Sequence, residues 1–333
     1  MLRSRTTAVS GFLIFAVIAV AVLLWAKWLP YQARAVELGG SHEWTGSGIL
    51  GVGGVEPGDP PSWSAATSFT GAYTKAVWKA LVAALLISVA VQALVPRAWL
   101  LRVLSRRSRV GSAMAGGLAA TPSMMCACCS APVAVTLRRT GVPVSAVVAY
   151  WLGNPLLNPA VLIFLFLVAP WQWGATRLLV GALVVIAGAA LVDRFVPGTA
   201  TPPPPPEGRR GWLPLLLIVP EYLVVVMLVG AFRGWLFPLS AASAGVLAVL
   251  AAAVVGTAMV IPTAGEIPIV QGLALAGLSL GAAGALLITL PAVSIPGAVL
   301  VVRTLGWKVT AATAGVVVAG GLAGGAVLAL LTP

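Results

Sequence analysis

TGVPVSAVVAYWLGNPLLNP (Thr140–Pro159) and AGLSLGAAGALLITLPAVSIP (Ala276–Pro296) are two apolar stretches written to one plan. Pro132, Gly141 and Pro155 stand 9 and 14 residues apart, and Pro268, Gly277 and Pro291 repeat both intervals. Another proline precedes each copy, Pro122 in the first and Pro262 in the second. A duplicated hydrophobic unit broken by prolines is how a transporter assembles a central site from interrupted helices. A solute carrier is therefore the first reading, with these eight residues as its expected structural breaks.

Composition supports a membrane setting. Hydrophobic residues are 60% of the 333 and charged residues 8%, with a mean hydropathy of +1.04. Soluble domains carry roughly 25% charged residues, so this chain cannot cover a water-facing surface. Strand-like alternation is absent, which argues against a β-barrel. The expected fold class is an all-α polytopic membrane protein with two homologous halves.

Stretches of about 20 apolar residues fall at Gly11–Trp28, Tyr73–Val95, Val142–Ala169, Ala175–Val196, Trp212–Ala231, Phe237–Val255, Leu278–Val302 and Val309–Leu331. Two interrupted regions, Gly111–Leu137 and Gly256–Leu275, lie among them. Residues 1–110 then hold two spans around an external loop at 31–70, and 111–196 hold the first broken repeat. Pro197–Gly211, with five consecutive prolines at Pro202–Pro206, reads as a semi-rigid cytoplasmic linker. Residues 212–333 form the second half.

The net charge of +12 does not indicate nucleic acid, because the basic residues lie between spans rather than on one soluble face. Arg3 and Arg5 precede the first span, and Arg97, Arg102, Arg106, Arg107 and Arg109 follow the second. The positive-inside rule then makes the N-terminus cytoplasmic, in a cell (inner or plasma) membrane. A cleaved leader ending near Ala33–Ala35 also fits the basic start, but Trp25 and Trp28 at the far end of a long apolar stretch favour a retained anchor. If each interrupted region dips in and returns, there are eight spans plus two hairpins, and the halves are parallel. If each crosses once, the halves are inverted. Charge favours the re-entrant version, although Arg303 and Lys308 then fall outside.

All three cysteines occur in TPSMMCACCSAP (Thr121–Pro132), directly after Met124 and Met125. Soft thiolate and thioether ligands select thiophilic species such as Cu(I) or trivalent arsenic. In a helix Cys126 and Cys129 share a face; in an unwound stretch Cys126 and Cys128 do. Packing by small or adaptable apolar residues is the plain alternative. A Cys126-x-x-Cys129 redox pair is a third reading, weakened by the lack of any other cysteine to pass electrons onward.

TPSMMCACCSAP, the G-V-P-x-S turn at Gly141 and GNPLLNP together resemble the ArsP/YraQ-type predicted permease family, and IPTAGEIPIVQGLALAGLSLGAAGALLITLPAVSIP is similar to its second motif. The likeness covers roughly Gly111–Leu331. It implies a two-repeat permease, and some members of that family export trivalent organoarsenicals. One departure is that Met124 stands where the family commonly has cysteine, so that Cys126 and Cys128 supply the C-x-C at a shifted offset and Cys129 is extra.

The substrate-binding candidates are Cys126, Cys128, Cys129, Met125, Ser130, Asn154 and Asn158. Glu266, two residues before Pro268, is the candidate for ion coupling, because a charge at mid-membrane costs about 2.5–3.5 kcal/mol and is usually functional or paired. Glu221 follows Pro220 and is a second coupling candidate, with helix capping as its alternative role. Asn154 and Asn158 flank Pro155 and Pro159 and suit the satisfaction of backbone groups freed by the break. His42 reads as a solvated loop residue. No phosphate loop and no His-Glu-x-x-His string occur. The chain is thus expected to be no enzyme, to need no cofactor or resident metal, and to draw on an ion gradient or a separate ATPase. Its expected partners are the lipid bilayer and a small-molecule substrate. A Cu(I)-type carrier, a thiol redox enzyme and a structural membrane subunit remain as alternatives.

Overall fold

The computed structural model describes residues 2–44, 49–196, 218–236 and 245–332, and among these every regular element is a helix. The linker 197–211 expected from its prolines lies outside the described residues. An initial helix, α1 (Leu2–Leu23), passes through a π-helical turn at Leu24–Trp28 into α2 (Leu29–Ser41). Much of the expected external loop is therefore helix. Then come α3 (Trp63–Leu94), capped by Ser62, and a short surface helix, α4 (Arg97–Leu104).

The first repeat comprises α5 (Arg109–Ala120), α6 (Ala127–Arg139), α7 (Val144–Leu156), α8 (Pro159–Val168), and α9 (Trp171–Leu183) continuing through a π turn into α10 (Ala189–Phe195). After α11 (Ile218–Leu236) the pattern recurs as α12 (Val246–Ala258), α13 (Glu266–Leu275), α14 (Leu280–Ala292), α15 (Ile295–Leu305) and α16 (Trp307–Leu331). Shifting by the Pro132-to-Pro268 interval carries α7 onto α14 and α9–α10 onto α16 residue for residue. Gly141 (φ 96°) and Gly277 (φ 95°) make the same left-handed turn. Each is closed by the paired helix-end bonds Gly141 N to Arg138 O with Val142 N to Leu137 O, and Gly277 N to Ala274 O with Leu278 N to Leu273 O. Only glycine takes this conformation without a Cβ penalty.

The prolines do not all sit where the chain breaks. Pro132, Pro155 and Pro291 lie inside α6, α7 and α14, and the breaks follow or precede them by a few residues. Pro268 occupies the first turn of α13, where its missing N–H has no intrahelical role. Helices α8 and α15 restart behind Asn158 and Ser294, equivalent positions whose side chains accept the freed N–H groups. The α14–α15 pair bends by 54°.

Close contacts fix the direction of each helix. Gly116 abuts Ala146, and Gly153 abuts Gly117 and Ala120, so α5 runs parallel to α7. Trp151 Nε1 donates to Ala127 O (2.8 Å) and Arg138 to Val142 O, so α6 runs back along α7. The α5–α6 unit is therefore a hairpin that returns to the end it entered from, as charge suggested. In the second repeat Gly281 meets Val249 and Gly256 meets Leu286 and Thr289, which makes α12–α13 a hairpin of the same kind.

The two repeats run in opposite directions. Gly188 lies against Val316 and Gly320 against Val184, so α9–α10 is antiparallel to its counterpart α16. Gln271 at the base of the second hairpin donates to Val168 O at the end of α8, away from the base of the first hairpin. The expected parallel halves are thus replaced by inverted ones. The expectation failed because Phe237–Val255 read as a separate span. Helix α12 (246–258), which overlaps that stretch, is instead the first arm of the hairpin, and 237–244 lie outside the described residues. Among the described residues five helices are long and apolar enough to cross a membrane unaided, and six when the bent pair counts as one. Helix α11 lies antiparallel along α3, with Gly230 against Phe69 and a Tyr222–Tyr73 hydrogen bond.

Candidate functional site

The break between α5 and α6 is built from residues that cannot complete a helix. After a 3-10 turn at Thr121–Ser123, Met124 takes a left-handed conformation (φ 49°), and Cys126 is extended as the N-cap of α6. The polar backbone freed there is satisfied from outside the hairpin. Asn154 Oδ1 accepts from Ser123 Oγ and from Met125 N, while its amide donates to Tyr150 O (2.8 Å). Trp28 Nε1 caps Pro122 O (2.7 Å), and Trp151 Nε1 caps Ala127 O. Pro155 lacks the N–H that Trp151 O would accept in a regular helix, and Ser130 Oγ reaches that carbonyl at 3.5 Å.

Held this way, the three cysteines converge. They are buried free thiols whose Sγ atoms all lie within 4.8 Å of one another. Cys126 Sγ is 3.1 Å from Cys128 Sγ and 3.0 Å from Cys129 Sγ. The helical and unwound readings are both partly realised, because the extended Cys126 can face the two thiols that begin α6. Tyr73 Oη contacts Cys128 Sγ at 3.0 Å and receives a hydrogen bond from Tyr222 Oη. Met125 is fully buried beside this set. A three-thiol cluster of this kind can bridge one soft centre.

The second break takes another form. Ala264 is left-handed (φ 68°), as Met124 is in the first, but the chain closes on itself through Gly265 N to Pro262 O and Ile267 N to Ala264 O. Glu266 begins α13 and is buried. Its Oε1 lies 2.6 Å from Arg177 Nη1, an ionic contact rather than an aligned hydrogen bond, and Oε2 has no hydrogen-bond donor among the described residues. Arg177 also donates to Pro155 O (2.6 Å) and Leu156 O, the last carbonyls of α7. A cation is favoured at such a helix end. The break in α7–α8 and the break before α13 are thereby joined across the two repeats. Asn158 caps α8, its oxygen taking the N–H groups of Ala160 and Val161. The side chain of Glu221 lies outside the described residues.

The sequence reading did not single out Arg177 and Lys27. Both lie within apolar spans, and the rule that flagged Glu266 applies equally to them. Lys27 is buried, donates to Tyr31 Oη (2.9 Å) and Thr263 Oγ1 (3.2 Å), and lies in electrostatic range of Cys126 and Cys129. It thus links the cysteine break to the second break. Exposed His42 ends α2, its ring hydrogen-bonded to Leu167 O.

Two proline-interrupted hairpins entering an apolar helical bundle from opposite ends define a polytopic membrane permease. Residues 62–201 match the family described as a predicted permease. The chain is 38% identical over 335 residues to the UPF0718 protein YraQ of Escherichia coli (strain K12), covering 96% of this chain and 94% of that protein. The chain belongs to this permease family. No solved structure matches it.

Proposed function

We propose that this permease exports a small thiophilic solute, a trivalent organoarsenical in the first instance, across the inner membrane. The observation that carries the reading is the convergence of Cys126, Cys128 and Cys129 at the tip of a hairpin, where the backbone leaves helical geometry. A monomethylated arsenic(III) centre carries two exchangeable hydroxyls. Two thiols displace them as two waters, forming two As–S bonds with no change of oxidation state. A third thiol within reach allows the centre to move from one pair to another. Met125 lines the cluster, while Ser130, Asn154 and Asn158 hold the breaks in shape.

Counting α1, α3, α7–α8, α9–α10, α11, α14–α15 and α16 as crossings gives seven, with the two hairpins between them. The first hairpin's base, Arg194 beside the linker, and the Arg303–Lys308 corner then share one side, and that side is cytoplasmic by the positive-inside rule. The N-terminus is cytoplasmic as well. Arg303 and Lys308, which opposed the parallel arrangement, support the inverted one. Transport follows from one repeat rocking against the other. Proton entry at Glu266 would loosen its hold on Arg177 and so couple the movement to an ion gradient; Glu221 is a second candidate for that role.

The reading is tested in cells lacking other arsenical exporters. Expression should raise resistance to methylarsonous acid and lower its accumulation several-fold, and a C126S/C128S/C129S variant should match the empty vector. A triple variant as active as the wild type would remove the thiol site. Full transport by E266Q with unchanged pH dependence would remove the coupling role. The same three sulfurs suit Cu(I), and lowered copper accumulation with unaltered arsenical resistance would select that cargo instead.

A further inference from the structure

A cavity of about 560 Å³ opens between α1–α2, α3 and the second break, and its lining residue Lys27 precedes Trp28, whose indole caps the cysteine hairpin at Pro122 O. Three ammonium groups line it, Lys27, Lys75 and Lys79, and no carboxylate does among the described residues. Lys27 is buried at its inner limit, with neutral hydroxyls as its hydrogen-bond partners and no acidic group in ion-pair range among the described residues. Lys79 rests over the rings of Trp25 and Trp78, and Lys75 is exposed on the same helix. By contrast, among the other buried cations Arg177 has a carboxylate in place, and Arg138 and Arg233 donate to backbone carbonyls.

A buried ammonium is retained at mid-membrane where something compensates it. Here no carboxylate is in ion-pair range of Lys27 among the described residues, its nearby counter-groups are hydroxyls and the cysteine thiols, and the two further lysines add positive charge rather than offset it. Such a cavity raises the local concentration of anions and excludes cations. Thr263 Oγ1 and Tyr31 Oη flank Lys27 with hydrogen-bonding groups that suit oxygen atoms on a ligand.

We infer that this cavity is an anion-binding vestibule, with Lys27 Nζ at its floor, that delivers a small oxyanion-type solute to the second break and the thiols. It rests on the permease reading but not on thiol ligation of arsenic. Its consequence for substrate class is that a solute carrying negative charge as well as a soft atom, such as a sulfur-bearing oxyanion, is drawn to this entrance more strongly than an uncharged arsenical and joins it as a candidate cargo.

The test is equilibrium binding of ³⁵S-labelled thiosulfate and sulfate to the purified full-length protein, with unlabelled thiourea as an uncharged soft competitor. Both anions should bind saturably, thiosulfate more tightly, and thiourea should not displace them. K27Q should weaken binding at least tenfold, and K27R should restore most of it. K75Q/K79Q, which changes residues at more accessible positions, should weaken it several-fold, and it probes the same charge requirement even if K27Q does not fold. No saturable anion binding, or equal binding by wild type and K75Q/K79Q, would overturn the inference. Loss of arsenical export in the triple serine variant with sulfate binding intact separates the thiol site from the vestibule. Full arsenical export by that variant, with anion binding lost in the lysine variants, would sink the thiol reading and leave the vestibule standing.

Discussion

The two hairpins share a backbone plan and differ in how each break is held. At the first, side chains from α7 and the first π turn reach in: Trp28, Trp151 and Asn154 take up the freed groups, and three thiols occupy the space between. At the second, the chain turns tightly on its own backbone and directs its one charged side chain to the opposite repeat. A break satisfied from outside can keep its interior for a ligand. A break satisfied from inside leaves its end group available as a strut, so two copies of one backbone plan are held in different ways.

The largest effect should come from the strut. Glu266→Leu leaves Arg177 buried without its carboxylate, a loss of about 3–5 kcal/mol for a buried pair. Its detergent-solubilised melting point should fall sharply, and the R177L/E266L double variant should recover most of it. A single variant as stable as wild type would mean that the repeats are not braced here. Next comes the scaffold of the first break. Asn154→Ala strands the Met125 N–H and the Ser123 hydroxyl, costing about 1–3 kcal/mol, read as a lower melting point and faster alkylation of the cysteines. Unchanged alkylation would show that Asn154 does not shape the thiol site. The smallest effect tests whether the breaks are equally strained. Ala264 and Met124 both hold positive φ, so Ala264→Gly should raise stability by about 1 kcal/mol. Met124→Gly should gain less, because it also gives up a partly buried side chain. Equal gains would erase that distinction.

Much of this was legible because backbone requirements are local. Glycine at Gly141 and Gly277 is demanded by positive φ, and its spacing from the prolines announces both turns in the sequence itself. The clustering of the cysteines was visible for the same reason, since three residues within four positions cannot move far apart. What was not legible depends on length and on distant partners. The apolar run at Phe237–Val255 is as hydrophobic as a span, and nothing local says that the helix Val246–Ala258 packs as half of a hairpin. That single miscount reversed the inferred relation of the repeats. Arg177 and Lys27 became meaningful only when partners 89 and 236 residues away were brought beside them. Pro132 and Pro291 misled in a smaller way: both are accommodated within helices whose breaks lie elsewhere.

The bond pattern of Arg177 also sets an order of assembly. Its two carbonyl acceptors, on Pro155 and Leu156, emerge from the ribosome before it does, whereas Glu266 emerges long after. The nascent first repeat can therefore enter the lipid with its arginine already hydrogen-bonded and wait. Glu266 has no such provision within its own repeat among the described residues. The later half must find the earlier one already in place, which makes the N-terminal repeat the template on which the C-terminal repeat completes its insertion.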